Sequence, residues 1–273
     1  EENPFIPIAW QKDHKGMQGT EYCDDKDGGY TMMWLEARDN AIKSAKQLSY
    51  STLTKQLCNR LLEPFMWHTV ILTATEFENF FALRCPKYIH SDGDIEDDII
   101  CRSKKDCIKN QPQQYYNWDY LMWGSINKGQ AEIHMMALAE AMWDTLNEST
   151  PKELKAGEWH IPFGDNVDML KFSEQYGSME DYEEELVKIK IATARCARVS
   201  YTVVGEEDKE PNYKNDIKLH DRLREAGHMS PFEHCAQAMP DSYFDGTPAN
   251  WSGNLKGFTQ YRKTLPNENI TKL

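Results

Sequence analysis

The most constraining stretch of the sequence runs from Asp216 to His234, because a helix must end there and the chain must turn at once. Its first half carries apolar residues at a helical spacing, at Ile217, Leu219 and Leu223. Gly227 predicts the end of this helix, because glycine adopts the left-handed conformation that a helix C-cap needs. Ser230, Pro231 and Glu233 then fit the cap, the first helical position and the third position of a capping box.

Two histidines, His228 and His234, flank this turn. The spacing of these residues, taken alone, requires no more than two helix ends joined by a tight connection. A serine hydroxyl beside the free N–H groups of a helix N-terminus also suits a phosphate or another anion. The residues therefore leave both roles open for Ser230 and Glu233, which could end the helix, bind a ligand, or do both.

The string Gly-His-x-Ser-Pro-Phe-Glu-His at 227–234 resembles the flavin-binding segment of the flavin-dependent thymidylate synthases. Upstream, 194–201 resembles the Ala-Arg-Val-Ser-Phe element of that family. A second block, at 59–64 and 75–84, resembles its C-terminal half, where an Arg stands four residues before a Pro and Asn-Phe-x-x-Leu-Arg follows. The match continues from 130 into the next predicted helix, and it covers roughly half of the chain.

The two blocks occur in the opposite order from that of ordinary members, so the chain is identified as a circularly permuted member of phage or bacterial type. Permutation is tolerated when the two termini of a domain lie close together at its surface. Permuted members carry part of their nucleotide-binding motif upstream of a Pro-Ile-x-Trp segment, and this sequence begins just before Pro7–Trp10. We therefore expect that an N-terminal motif segment is missing from it.

The predicted fold is α+β. The composition, 40% hydrophobic and 27% charged over 273 residues, is typical of globular proteins. The resemblance implies one domain over 1–273, an antiparallel sheet with packed helices in permuted order. A long excursion at 85–129 is predicted to be an insertion into it. Apolar periodicity predicts helices at Tyr30–Leu48, Gln130–Leu146 and Tyr182–Arg198, and Thr75 with Glu78 predicts a capped helix through Arg84.

Several classes of partner are not expected. A net charge of −13 argues against nucleic-acid binding, which needs clustered Lys and Arg. No apolar run is long enough for a membrane span, and we expect a cytoplasmic protein, in the host cytoplasm if phage-encoded. The seven cysteines form no Cys-x-x-Cys pair, which favours reduced thiols over zinc or disulfides. Asp92-Gly93-Asp94 begins like a calcium loop, but Ser103 stands where its Glu is needed, so no metal is expected.

The resemblance implies conversion of dUMP to dTMP. Methylenetetrahydrofolate would give the carbon, and FAD reduced by NADPH would give the hydride. It also implies a homo-oligomer, a tetramer, with active sites formed between subunits. One alternative is a dUMP hydroxymethylase on the same scaffold, in which water ends the reaction. Another is a catalytically incomplete structural subunit.

Arg84 is the implied catalytic residue, because it matches the Arg that contacts the uracil ring. A fixed cation there favours the N3-deprotonated, electron-rich ring, so that C5 can attack without an enzyme nucleophile. Arg60 matches the Arg that holds the nucleotide. On position alone, Arg84 could simply extend to water and Arg60 could be a solvated helix-end residue.

The remaining implied contacts are polar residues of both blocks. The implied FAD-binding residues are Asn79, Ser200, His228, Ser230, Glu233 and Glu268. The implied substrate-binding residues are Arg60, Arg84, Gln260 and Arg262.

The C-terminal stretch matches the family signature (Arg-His-Arg, seven residues, Ser-x-Arg) only in outline. Gln260 and Tyr261 replace Arg-His, Arg262 keeps its place, and Ile270 stands where Ser is expected. Either the permutation cuts the signature or the motif has degenerated. We favour the cut, because a dUMP phosphate needs the Ser and Arg donors of the missing half.

Overall fold

The computed structural model describes residues 3–16, 19, 21–90, 99–110, 131–177, 182–199, 211–240 and 251–269. The chain forms two compact units, each made of two stretches of sequence. Unit 1 consists of Glu1–Trp67 and Phe77–Pro151, and unit 2 consists of His68–Glu76 and Lys152–Leu273. Both units contain helices and small antiparallel sheets, which confirms the α+β class. The single domain over 1–273 and the permuted family fold stay predictions.

Unit 1 is mainly helical. Its described helices are α1 (Gly29–Tyr50), α2 (Lys55–Arg60), α3 (Glu78–Arg84), α4 (Lys104–Asn110) and α5 (Ile133–Glu148). Its described strands form two antiparallel pairs, β1 (Trp10–Gln11) with β2 (Tyr22–Cys23) and β3 (Tyr88–His90) with β4 (Ile99–Cys101).

Helix α5 lies at the centre of unit 1. It begins three residues later than predicted, because the carboxylate of Glu132 caps its first turn by accepting from the N–H groups of His134 and Met135. Ala139 packs against Phe81 and Cys85, the first on α3 and the second just after it. Burial of a Phe side chain such as Phe81 stabilises a fold by about 1.5–3 kcal/mol. This packing fixes α3, which carries Arg84.

Part of the predicted insertion at 85–129 belongs to the core of unit 1. Tyr88, Cys101 and Cys107 are buried in one cluster with Ile133 and Met136. Residues 91–98 and 111–130, with the Asp92–Asp94 string, lie outside the described residues. The described part of the excursion therefore contributes core residues and is not confined to the surface.

Unit 2 contains a three-stranded antiparallel sheet with the order β5 (Trp159–His160), β6 (Ala236–Ala238) and β9 (Phe258–Gln260). A hairpin of β7 (Trp251–Ser252) and β8 (Leu255–Lys256) precedes β9. Its described helices are α6 (Met169–Tyr176), α7 (Glu184–Arg198) and α8 (Tyr213–Ala226).

Two clusters form the core of unit 2. In one, Ile191 of α7 packs with Phe172 and Tyr213. In the other, Ile189, on the same helix, packs with Phe232 and Tyr261. Helix α7 therefore supports both α8 and the turn that follows it, where the candidate site lies.

Candidate functional site

The turn after α8, at 227–234, is held in place by its backbone and its buried apolar residues. Gly227 has a φ of 75° and ends α8 as predicted, since few other residues adopt this conformation without strain. The N–H of His228 donates to the carbonyl of Leu223 at 2.9 Å and closes the helix end. Phe232 is fully buried and Met229 is nearly so. The short turn between the two histidines is therefore fixed by its own apolar residues.

The predicted capping box is wrong. Ser230–Glu233 forms a 3-10 turn whose cap position is Met229, and no side chain caps it. The carboxylate of Glu233 accepts a hydrogen bond from Arg262. A hydrogen bond from a charged donor stabilises a carboxylate more than a local bond from a helix-end N–H does. The carboxylate of Glu233 therefore binds Arg262 and not the backbone of the turn.

The second predicted box is wrong too. The N-cap of α3 is Phe77, without a side-chain cap bond. The Thr75 hydroxyl, which belongs to unit 2, accepts from the N–H of Lys256 at 2.8 Å.

An ion-pair network lies beside the turn. Arg262 donates from Nη1 to Oε1 of Glu233 and from Nε to Oε1 of Glu268, the second at 3.0 Å. Lys263 donates to the same oxygen of Glu268 at 2.5 Å. These hydrogen bonds, the one from Lys263 foremost, hold the pKa of Glu268 below its usual value. The guanidinium of Arg262 is thus fixed between two carboxylates.

Gln260 joins the network through β9. Its register opposite Ala236 places it next to the chain that follows the turn. Its amide Nε2 donates to the carbonyl of Glu233 at 3.4 Å, and its backbone N–H donates to Oγ of Ser252 at 3.3 Å. Glu233, Gln260, Arg262 and Glu268, which are separated in sequence, therefore meet in unit 2.

His228 and Ser230 lie at the exposed side of the turn. Within the described parts of the chain, neither side chain forms a hydrogen bond or ion pair. Their ring and hydroxyl are consequently open to a ligand. Ser200 lies outside the described residues.

Sequence reasoning missed a buried polar chain beneath the turn. His220 is 0% exposed. Its Nδ1 lies 2.8 Å from Oδ1 of Asp221, and its Nε2 lies 3.3 Å from the hydroxyl of Tyr261. Its ring also lies 5.1 Å from that of Phe232. Asp221, whose side chain is partly exposed, thus belongs to the same chain of contacts. Helical spacing could have indicated that His220 is buried, since His220 follows Asp216 by four positions and both lie on the buried face of α8.

The protonation states of this chain follow from burial and contact. Burial lowers the pKa of His220, although its bond to Asp221 opposes this shift. Burial works against ionisation of Asp221, but the bond from His220 and the charge of Lys190 lower its pKa overall. Because an ionised carboxylate only accepts, Nδ1 of a neutral His220 carries the proton, and Nε2 accepts from the hydroxyl of Tyr261. Every polar atom of the ring is then satisfied.

A second buried contact fixes the start of α8. Asp216 is buried and accepts from Nη1 of Arg198, near the end of α7. Burial raises the pKa of Asp216, although the bond and charge of Arg198 act in the opposite direction. Arg198 also donates to the carbonyl of Asn215 at 3.2 Å. Arg198 therefore anchors the first turn of α8 to the end of α7.

The remaining predicted residues lie in unit 1. Arg60 ends α2, is largely exposed and pairs with Oε1 of Glu63 at 3.0 Å. Asn79 is exposed in the first turn of α3. Arg84, the last residue of α3, is half-buried and forms no hydrogen bond or ion pair with any other described residue. No such bond joins these three residues to one another.

The cysteines are free, and most are buried. Burial raises the pKa of Cys196 to about 11 and that of Cys235 to about 12, so both are protonated thiols at neutral pH. Over the described ranges, no group of three or more His, Cys, Asp or Glu is placed to hold a metal ion. None of the helices described is both long and apolar enough to cross a membrane.

Comparison with known proteins gives no match. No protein-family model matches the chain. No curated protein and no solved structure matches it either.

Proposed function

We propose that this chain is a permuted flavin-dependent thymidylate synthase that converts dUMP to dTMP. One observation supports this proposal best. Glu233, Gln260, Arg262 and Glu268 meet in unit 2, although the motif resemblance assigned them to flavin and nucleotide binding from two separate stretches. An open hydroxyl at Ser230 lies on the same turn.

The donor set of unit 2 fits FAD. The exposed ring of His228 and the hydroxyl of Ser230 suit a phosphate or a ring carbonyl. Glu233 and Glu268 can accept hydrogen bonds from ribose hydroxyls. Arg262 uses two of its five N–H donors on these carboxylates, which orients the guanidinium and leaves three donors. FAD, when bound, supplies the hydride, and NADPH reduces it.

Arg84 would act on the pyrimidine. Its guanidinium has no carboxylate partner in the described part of the chain, so its charge is not neutralised there. Beside a uracil ring it would stabilise the negative charge at N3 and make C5 more nucleophilic toward the carbon of methylenetetrahydrofolate. Arg60 would have to exchange Glu63 for the nucleotide phosphate. The homo-tetramer with shared active sites belongs to the same proposal.

A second candidate is a catalytically incomplete subunit. Glu63 neutralises Arg60, and Glu233 with Glu268 neutralises Arg262. Because a phosphate site needs cationic donors, these ion pairs favour a structural role for both arginines.

Product analysis separates these functions. The purified chain is incubated with dUMP, methylenetetrahydrofolate, FAD and NADPH, and the nucleotides are identified by mass spectrometry. We expect dTMP. Hydroxymethyl-dUMP would indicate the hydroxymethylase instead. No retained FAD and no nucleotide product would point to the incomplete subunit.

A further inference from the structure

Two cysteines of unit 1 lie next to each other in the folded chain. Cys101 is the last residue of β4, and Cys107 follows it in α4. Their exposed fractions are 4% and 2%, and both belong to the same apolar cluster. The thiol of Cys107 lies within hydrogen-bonding reach of the thiol of Cys101. The function proposed above assigns no role to either residue.

The turn between β4 and α4 fixes the positions of both side chains. The N–H of Cys107 donates to the carbonyl of Ser103 at 3.1 Å, and the N–H of Asp106 donates to Oγ of Ser103 at 3.0 Å. Helical side chains tilt toward the N-terminus of their helix, which for Cys107 is the direction of this turn and of β4. Cys101 is fixed by its register opposite Tyr88 in β3. The backbone therefore holds the two sulfur atoms near each other.

Helix α4 is also fastened to α5. The N–H of Lys104 donates to Oε1 of Glu140 at 2.7 Å. The indole N–H of Trp143 donates to Oδ2 of Asp106, also at 2.7 Å. These bonds keep α4 from moving away from the core that contains Cys101, so the two thiols stay close as long as unit 1 is folded.

Three other buried cysteines are placed differently. The thiols of Cys58, Cys85 and Cys235 point to backbone carbonyls, at 4.0, 3.6 and 3.9 Å. These residues act as small core side chains. The contact between the thiols of Cys101 and Cys107 instead brings together two groups that can react with each other.

We propose that Cys101 and Cys107 form a reversible intrachain disulfide, with a small disulfide such as oxidised glutathione as the oxidant. The thiolate of one cysteine attacks a sulfur of the small disulfide, which forms a mixed disulfide and releases one glutathione thiolate. The second cysteine then attacks the protein sulfur of this mixed disulfide, the bond between the two protein sulfurs forms, and the second glutathione leaves. The two thiols lose two protons and two electrons, and one oxidised glutathione becomes two reduced ones.

Burial affects the rate of this reaction more than its equilibrium. Burial foremost, and then the neighbouring Cys101, raises the pKa of the Cys107 thiol above its usual value. Because the thiolate is the attacking species, exchange proceeds when the turn between β4 and α4 opens. The equilibrium constant is therefore the quantity that tests the proposal. In a strongly reducing buffer the pair stays reduced, as the sequence predicts for all the cysteines.

Equilibration of the whole chain in mixtures of oxidised and reduced glutathione measures this constant. Each sample is quenched with acid, its remaining thiols are alkylated in urea, and the protein is digested with trypsin without reduction. Trypsin cuts after Arg102, Lys104 and Lys105, which lie between the two cysteines, so a disulfide keeps the two peptides joined. We expect the joined peptide, identified by mass spectrometry, to increase with the fraction of oxidised glutathione.

The same equilibration in urea is the reference. The unfolded chain can also close this short loop, but the fold holds the two sulfurs together, so the equilibrium constant should be at least about tenfold higher in the folded chain. By linkage, the oxidised chain should also melt at a higher temperature than the reduced chain. C85A is the matched control, because it removes a buried thiol of the same unit that bonds to a carbonyl, and it should keep the joined peptide. C101A should abolish it.

Two results would overturn the proposal. The first is no joined peptide from the folded chain at any ratio of oxidised to reduced glutathione. The second is an equilibrium constant in the folded chain equal to or below that in urea, which would mean that the fold does not hold the two sulfurs in a geometry that allows the bond.

Discussion

The buried chain from Asp221 through His220 to Tyr261 gives a sharp stability prediction. In His220→Leu the new side chain has a similar size but no polar atom. The hydroxyl of Tyr261 then loses its partner in a buried position, which costs about 1–3 kcal/mol. The bond to the half-exposed Asp221 adds about 1 kcal/mol or less. We therefore expect a loss of about 1–4 kcal/mol in the free energy of unfolding.

Urea unfolding followed by circular dichroism measures this loss. Tyr261→Phe is the matched variant, because it removes only the hydroxyl; it leaves Nε2 of the buried His220 without a donor, which should cost about 1–3 kcal/mol. In the double variant no buried hydroxyl is left without a partner, so its loss should be smaller than the sum of the single losses by about 1 kcal/mol or more. Strictly additive losses, or a loss below about 0.5 kcal/mol in His220→Leu, would refute the buried chain.

Four further predictions concern the same turn and Arg84. Burial lowers the pKa of both His220 and His234, so the unfolded state binds more protons. Their contribution to stability is therefore complete above the unfolded pKa of about 6.5 and is lost as the pH falls below it; a melting temperature that stays flat between pH 8 and pH 5 would contradict this. Gly227→Ala forces an L side chain to a φ of 75° and should cost about 1 kcal/mol in urea unfolding, and an unchanged midpoint would mean that the turn relaxes without strain. Ser230→Ala should change stability by less than about 0.5 kcal/mol, because Ser230 caps no helix; a loss above about 1 kcal/mol would restore the capping box. Arg84→Ala should retain FAD but abolish turnover of dUMP, with poor rescue by Lys, which lacks the planar fork; near wild-type kcat would exclude Arg84 as the ring-activating cation.

Local signals predicted the elements well. The end of α8 at Gly227 was correct because a left-handed C-cap depends on one residue and its neighbours. Apolar periodicity also gave α7 within two residues of its start, and α1 within two residues of either end. These features depend on contacts within a few positions of the chain.

Contacts between distant residues account for what the sequence did not reveal. Ser230 and Glu233 have the spacing of a capping box, but Arg262 binds the Glu233 carboxylate across the fold. His220 is buried because its Nε2 has a partner in Tyr261, which lies 41 positions further along the chain. The excursion at 85–129 was predicted to be an insertion because it interrupts the stretches that carry the family resemblance, but its Cys101 and Cys107 pack in the core with residues of α5.

The roles of the candidate site residues stay predictions. Four residues, taken from two stretches of sequence, meet in unit 2 around Arg262, which no periodicity or spacing argument could establish alone. The ion pairs of Arg60 and Arg262 were not predicted, because which carboxylate lies within reach of an arginine depends on the folded structure.

Flavin binding tests the central claim most directly. The purified chain is saturated with FAD and separated from free FAD, and the flavin-to-protein absorbance ratio is measured beside a melting curve. The proposed function predicts one FAD per chain, with much weaker retention in the double variant His228→Ala with Glu233→Ala, which should still unfold in one cooperative transition. No retained flavin in the wild-type chain, or full occupancy in the double variant, would contradict the assignment of this turn to FAD.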